Sequence, residues 1–278
     1  MKIIILGGTG FLGREVVNQA LNAGHEVTIL IHNQELNLKS DRFHQIKTNI
    51  FDVQDLINNF QNKDAIINLI GIIKEIKPNV TFNKMHVAVV KNILDAIKFM
   101  KEKDSEKKIQ LHNISALGVG ENAPTKYFLT KWLAEKMIED KSGKFDFKYN
   151  IYRPSIVWGN GGFRDEMKKL VKMPIFTPIV GNGKYRFQPI DVSDLASRII
   201  NEIESGATNQ IINLVGNKIL TLEEIITNLE KELGKKKLHV HIPLFFIQFI
   251  ASITDFLHIP FPITPDQIKM IQMENIVE

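Results

Sequence analysis

The sequence predicts an α/β fold, a doubly wound parallel sheet with helices on both faces, followed by a smaller C-terminal lobe. Three observations carry this expectation. Gly7, Gly10 and Gly13 fall three apart between an apolar run and an amphipathic stretch; apolar runs alternate with helix-like patterns over residues 1–155; and beyond Arg153 the pattern loosens into GNGG, KMPIF and VGNGKYRF. Alternation of strand and helix belongs to parallel sheets, because each crossover must cover a face of the sheet.

The first strand is KIIIL at 2–6, which runs into GGTGFLG; five apolar residues are too few for a signal-peptide core or a membrane span. Glycines are needed after it because the backbone turns tightly, a pyrophosphate must approach without a Cβ in the way, and the next helix packs closely on the sheet. Phosphates would then meet a helix N-terminus, where unpaired N–H groups favour negative charge. A second strand, EVTILI, closes a βαβ unit by residue 31. Further strands are expected at 44–48, 65–70, 108–114 and 147–153, and helices near 53–60, 83–100 and 126–141. This is the Rossmann pattern, with its ligand crevice at the carboxyl ends of the strands. Residues 1–155 are read as an NAD(P)-binding core and 156–278 mostly as a lobe for a substrate or partner, with the strand and helix of 209–233 returning to the core.

Composition excludes several classes. The 278 residues are 44% hydrophobic and 24% charged, with 35 basic against 31 acidic residues and a net charge of +4, mixed in runs such as KEKDSEKK at 101–108. Mixed charge reads as solvated surface, so no nucleic-acid partner is expected. The absence of cysteine excludes disulfides, thiolate metal sites and cysteine catalysis and agrees with a reducing, cytoplasmic compartment. No other ligand cluster suggests a metal. PLFFIQFIASITDFLHIPFP at 243–262 is broken by Gln248, Asp255 and three prolines, a poor membrane-spanning helix. With Lys235–Lys237 before it, the stretch 235–262 has the pattern of a segment resting on an anionic membrane or gripping a membrane-bound partner. A lobe helix packing inward with its lysines in water fits the same residues.

The segment YFLTK at 127–131 places Tyr127 and Lys131 four apart, on one face of a helix after the fifth strand. GGTGFLG, FDV at 51–53, LIGII at 69–73, NISALG at 113–118, YFLTK and YRPSIVWG at 152–159 together, in this order, resemble the extended and atypical short-chain dehydrogenase/reductase superfamily. The resemblance implies that Gly7, Thr9, Gly10, Phe11, Leu12 and Gly13 hold the pyrophosphate, Asp52 and Val53 flank the adenine, Leu69, Ile70 and Gly71 run along the cofactor, and Pro154 lies near the nicotinamide. It further implies that Tyr127 exchanges a proton at a substrate oxygen while Lys131 binds the nicotinamide ribose and lowers the tyrosine pKa from about 10. The family's third group is a hydroxyl at the end of the fifth strand. Ala116 occupies that position, and Ser115, one residue earlier, is the candidate hydroxyl, although a one-residue shift turns a side chain to the other face.

A narrower set, LIGIIKE, ISALGV, RPSIVWGNGGF, FQPIDVSDLA, IPLFFIQFIA and TPDQIKMIQMENIVE, is similar to the short-chain-dehydrogenase-like accessory subunit of respiratory complex I and its bacterial relatives. That resemblance implies a structural nucleotide and a place in the assembly or stability of a membrane complex. The alternative is a soluble NAD(P)-dependent reductase or sugar-nucleotide epimerase acting through Tyr127 and Lys131.

Cofactor choice turns on the tip of the second strand, where an acid would grip a ribose 2′-hydroxyl. His32 and Asn33 stand there instead, with Lys39 and Arg42 in the next loop as compensating cations, so NADP(H) is expected over NAD(H). Asp191 reads as a helix N-cap or a substrate contact, His112 and the HVH of 239–241 as structural histidines or ligands, and Trp158 as crevice lining or core.

Overall fold

A computed structural model describes residues 1–249 and 264–277, so the part of the basic, apolar segment from 250 to 262 lies outside the described residues. The chain begins β1 (Lys2–Leu6), α1 (Phe11–Asn22), β2 (Glu26–Ile31), β3 (Phe43–Lys47), α2 (Val53–Phe60) and β4 (Ala65–Asn68). A π-helical turn, Asn83–Ala88, then opens directly into α3 (Val89–Lys103), followed by β5 (Gln110–Ile114), α4 (Lys126–Phe145) and β6 (Lys148–Pro154). The second half adds β7 (Val157–Trp158), α5 (Gly162–Val171), β8 (Phe176–Val180), β9 (Arg186–Phe187), β10 (Ile190–Asp191), α6 (Val192–Ser205), β11 (Gln210–Leu214), β12 (Leu220–Thr221), α7 (Leu222–Glu232), β13 (Leu238–Ile242) and α8 (Pro265–Gln272).

Seven strands form one parallel sheet in the order β11-β6-β5-β4-β1-β2-β3. The apolar run of β1 is continuous because both faces of the sheet are covered. Ile4 and Leu6 face a core shared with α2, α3 and α4 through Leu56, Phe60, Ile93, Ile97, Ala134 and Ile138. Ile3 and Ile5 face the opposite core with Val16, Val17 and Ala20 of α1 and Leu195, Ile199 and Ile203 of α6. Each fully buried Ile or Leu stabilises the fold by about 1.5–3 kcal/mol relative to exposure. The strand order reverses at β1, with β2 and β3 on one side and β4, β5 and β6 on the other, and this switch point opens a crevice at the carboxyl edge of the sheet.

Outside the sheet, α5, α7 and β8 surround a separate core of Met167, Val171, Ile179, Phe187, Ile225 and Leu229, into which Trp158 packs. The chain passes between sheet and lobe more often than the expected return at 209–233. α6 already packs on α1, and of the returning pair β11 joins the sheet while α7 stays in the lobe against α5. The stretch 235–262, for which a lobe helix is one of two readings, also differs at its start. Its first residues form β13, a parallel partner of β8, because His239 and His241 of LHVHI point toward Glu223 and Glu230 of α7. Residues 244–249 are helical, and no helix among the described residues is long and apolar enough to cross a membrane.

Candidate nucleotide site

The turn after β1 closes with Gly10 N–H donating to the Gly7 carbonyl at 3.1 Å, and Gly7 adopts φ +84°, a conformation that L side chains avoid. α1 then begins with Gly10 as N-cap. Gly10 offers no side-chain acceptor and the first turn carries no acid, so no side chain competes with an anion for its leading N–H groups. By contrast α2, α4, α6 and α7 are capped by Asp52, Thr125, Asp191 and Thr221. The ring of Phe11 leaves the turn and lies against Gly159 and Gly161, so this residue ties the glycine turn to the loop before α5. Thr9 accepts from Arg14 Nε through its carbonyl at 2.9 Å, and Leu12 packs against the α1–α6 core.

The turn after β4 comes close to both sides of the crevice. Leu69 N–H extends the ladder to the Leu6 carbonyl at 2.9 Å, and a Cβ on Gly7 would stand 3.0 Å from the Leu69 carbonyl carbon. Ile70 N–H donates to Asn68 Oδ1, whose amide is paired with Asn113 of β5. Lys131 Nζ reaches back from α4, donating to the carbonyls of Ile114 at 2.9 Å and Ile70 at 3.4 Å, and a Cβ on Gly71 would stand 3.0 Å from it. The spacing of Tyr127 and Lys131 therefore brings the lysine to the carboxyl ends of β4 and β5.

Tyr127 is half-buried in an aromatic wall, with ring centroids 5.8 Å from Phe82, 5.4 Å from His86 and 5.2 Å from Phe128. Burial raises the phenol to about 12, the opposite direction from activation toward neutral pH. Burial also lowers Lys131 to about 8, against the opposing charge of Glu135. His86 was not anticipated as part of this group. Its Nε2 accepts from Ile72 N–H at 3.2 Å, its Nδ1 lies 2.9 Å from Thr130 Oγ1, and burial followed by the Lys131 charge lowers it to about 2. No signal in the sequence marked it: the residue falls inside the expected helix of 83–100, and the π-helical turn that carries it, of a kind that recurs at functional sites, shows only in the structure. Ala116 and Ser115 are both buried, and Ser115 Oγ has no hydrogen-bond partner among the described residues.

The remaining candidates line the same edge. His32 and Asn33 are exposed just past the tip of β2, Asp52 uses its carboxylate to cap α2, whose first residue is Val53, and the Pro154 carbonyl accepts from Leu117 N–H at 2.8 Å. Arg42 does not compensate at the β2 tip. It precedes β3 at the opposite, amino edge of the sheet, where its guanidinium lies beside Gly24, because β3 runs parallel to β2. The cation that register places at the tip is Lys47, exposed and paired with Ile31. His112 is a core residue, stacked on Tyr152 with Nδ1 2.7 Å from the phenol oxygen and held near 3 by burial. Asp191 caps α6 by accepting from Ser193 N–H.

A sequence profile of the NAD dependent epimerase/dehydratase family matches residues 3–215. The chain belongs to this family. Among curated proteins it is 24% identical to NADH dehydrogenase [ubiquinone] 1 alpha subcomplex subunit 9, mitochondrial, of Arabidopsis thaliana, over 98% of this chain and 68% of that protein. It is 23% identical to the NADH-ubiquinone oxidoreductase 40 kDa subunit of Neurospora crassa mitochondria, over 90% of this chain and 64% of that one. The chain thus spans about two thirds of the length of these relatives. Among solved structures, the UDP-glucuronic acid 4-epimerase of Bacillus cereus, in complex with UDP-glucuronic acid and NAD, superposes with a TM-score of 0.73 at 19% identity, covering 98% of this chain and 99% of the epimerase. The chain is thus similar in sequence to subunits of NADH dehydrogenase and in fold to a sugar-nucleotide epimerase.

Proposed function

We propose that the protein is a dinucleotide-binding accessory factor, of the type found in respiratory complex I, whose nucleotide stabilises the fold and whose surface engages a membrane protein complex from the cytoplasm. The observation that carries this reading is the state of Tyr127: an aromatic wall and burial hold its phenol at about 12, and Ala116 stands where a hydroxyl would polarise a substrate oxygen. A proton carrier should titrate near working pH, so this tyrosine suits ribose packing better than turnover. Gly7, Thr9, Gly10, Phe11, Leu12 and Gly13 would cradle the pyrophosphate. Asp52 and Val53 would flank the adenine, Leu69, Ile70 and Gly71 would follow the linkage, and Lys131, Tyr127 and Pro154 would line the nicotinamide half. The cofactor would supply a rigid, doubly anchored ligand across the crevice. Of the two dinucleotides, NADP(H) is assigned, because His32 and Asn33 present no carboxylate and Lys47 lies beside the β2 tip.

The contact surface is assigned to the described part of 235–262. Phe245, Phe246 and Phe249 are 63%, 53% and 65% exposed on one short helical stretch, close in sequence to Lys235–Lys237. Affinity purification of the tagged protein from gently solubilised cells, followed by native sizing, tests the reading. Co-migration with respiratory-chain subunits is expected; migration as a small lone species would remove it.

The second reading, an NAD(P)-dependent reductase or epimerase, is favoured by the shared face of Tyr127 and Lys131, with Ser115 as its spare hydroxyl. Turnover on a panel of carbonyl, quinone and sugar-nucleotide substrates that Tyr127→Phe abolishes would establish it.

A further inference from the structure

Residues 273–277 cross from the lobe to the ends of two sheet strands. Asn275 N–H donates to the Arg186 carbonyl at 3.0 Å, and its own carbonyl accepts from Gln188 N–H at 3.0 Å, so the segment runs as an added bridge beside β9. Glu274 pairs both oxygens with Arg186 at 2.7 and 2.6 Å, and Val277 N–H donates to Gln188 Oε1 at 3.0 Å. Met273 reaches the other way, its methyl standing near Gly118 in the loop after β5.

The side chain of Asn275 makes the decisive contacts. Its Oδ1 accepts from Ile156 N–H at 3.1 Å and lies 2.5 Å from Ser155 Oγ, while its Nδ2 donates to the Leu117 carbonyl at 3.2 Å. One carboxamide thus joins the loop leaving β5 to the loop leaving β6. Ser115 and Ala116 lie on the first of these loops, and Pro154 ends β6 immediately before the second. With the pyrophosphate turn on β1 and one nucleoside over β2 and β3, the sheet order leaves β4, β5 and β6 for the other half of a dinucleotide.

We propose that Asn275 is a positioning residue for the nicotinamide half of the crevice, a reading that rests on dinucleotide binding as argued above. An asparagine head has fixed donor and acceptor positions, so it sets the separation of Leu117 and Ile156 where a purely apolar clasp would leave them free. Without it the Ile156 N–H and Leu117 carbonyl lose their partners, and although Leu117 N–H keeps the Pro154 carbonyl and the Ile156 carbonyl keeps Ile190 N–H, the spacing of the two loops loosens, which weakens binding at that end alone.

The test is a titration of the full chain with NADPH and with 2′,5′-ADP, repeated with NADH and ADP. Asn275→Ala should weaken the dinucleotides about tenfold while changing the ADP ligands less than about twofold, the loss expected from one or two hydrogen bonds at one end of a ligand. Asn275→Asp keeps the shape and the acceptor but turns a carboxylate oxygen toward the Leu117 carbonyl, and should weaken the dinucleotides at least as much as alanine does. Equal weakening of both ligand types, or no weakening, would overturn the proposal, as would failure of both variants to fold, since the segment would then serve stability only. Wild-type protein that binds none of the four ligands removes the dinucleotide reading itself, and that result is distinct because it appears before any variant is made.

Discussion

Gly13 packs its Cα so closely on the turn that a Cβ would stand 2.1 Å from the carbonyl oxygen of Gly7 and 2.8 Å from the backbone of Gly8. Backbone on both sides leaves nothing flexible to give way. Gly13→Ala should therefore destabilise the fold by roughly 3 kcal/mol, the upper end of overpacking costs, despite the better helix propensity of alanine. It should also abolish NADPH quenching of intrinsic fluorescence. Binding retained at wild-type strength would mean that the turn does not hold the phosphates.

The pair Arg153–Glu135 ties α4 to β6 beneath the crevice, through contacts of 3.0 and 2.5 Å, with the glutamate wholly buried. Arg153→Ala strands a buried carboxylate and should cost about 3–5 kcal/mol in urea unfolding. Joint replacement by Arg153→Met and Glu135→Leu should restore most of it. A double variant less stable than the single one would contradict this account.

Cofactor preference should respond to two substitutions. His32→Asp places a carboxylate where a 2′-phosphate would lie and should turn preference toward NAD(H), while Lys47→Ala should weaken NADPH by roughly fivefold and leave NADH alone, as removal of one exposed charge predicts. Equal effects of Lys47→Ala on both ligands would detach it from the 2′ position.

Two buried histidines should make the fold sensitive to acid. Burial, and for His86 also the Lys131 charge, lowers His86 to about 2 and His112 to about 3 in the fold, whereas the unfolded chain takes up these protons near 6.5. Their contribution is therefore full above about pH 6.5 and is lost as pH falls from there toward about 3, because the unfolded state binds the extra protons. His239 acts in the opposite sense: burial disfavours its charge, but hydrogen bonds and charges of Glu223 and Glu230 prevail and raise it. Comparing His112→Asn with wild type isolates the effect. The variant's melting temperature should fall less between pH 7 and 4, and parallel curves would refute the assignment.

The nucleotide half of the fold was legible because its signals are local. Glycine spacing, a run of five apolar residues and two-fold or 3.6-fold periodicity each fix an element within its own stretch, and β1, β2, α2 and α4 begin within a residue or two of their expected places. The cation at the β2 tip was not, because Lys47 becomes a neighbour of Ile31 only through strand pairing, and proximity in sequence favoured Arg42. β13 was masked by its apolar sequel, although the alternation LHVHI carried the period of a strand. The low proton affinity of His86 and the high one of Tyr127 come from burial where the π-helical turn packs on α4, aided for His86 by the Lys131 charge, and no short window reports the contacts of Phe82 and His86 with Tyr127.

β6 and β11 are neighbours in the sheet, yet residues 155–209 intervene, leaving after Pro154 and returning at Gln210. The outer rim of the sheet is thus supplied from far along the chain. A shortened protein stopped at residue 155 would expose the N–H and C=O groups of Tyr149, Ile151 and Arg153 as an open, largely apolar margin, a template for strands from other copies. The nucleotide-binding half is for this reason not a portable cassette: excised on its own, it would recruit its missing rim from its neighbours and precipitate.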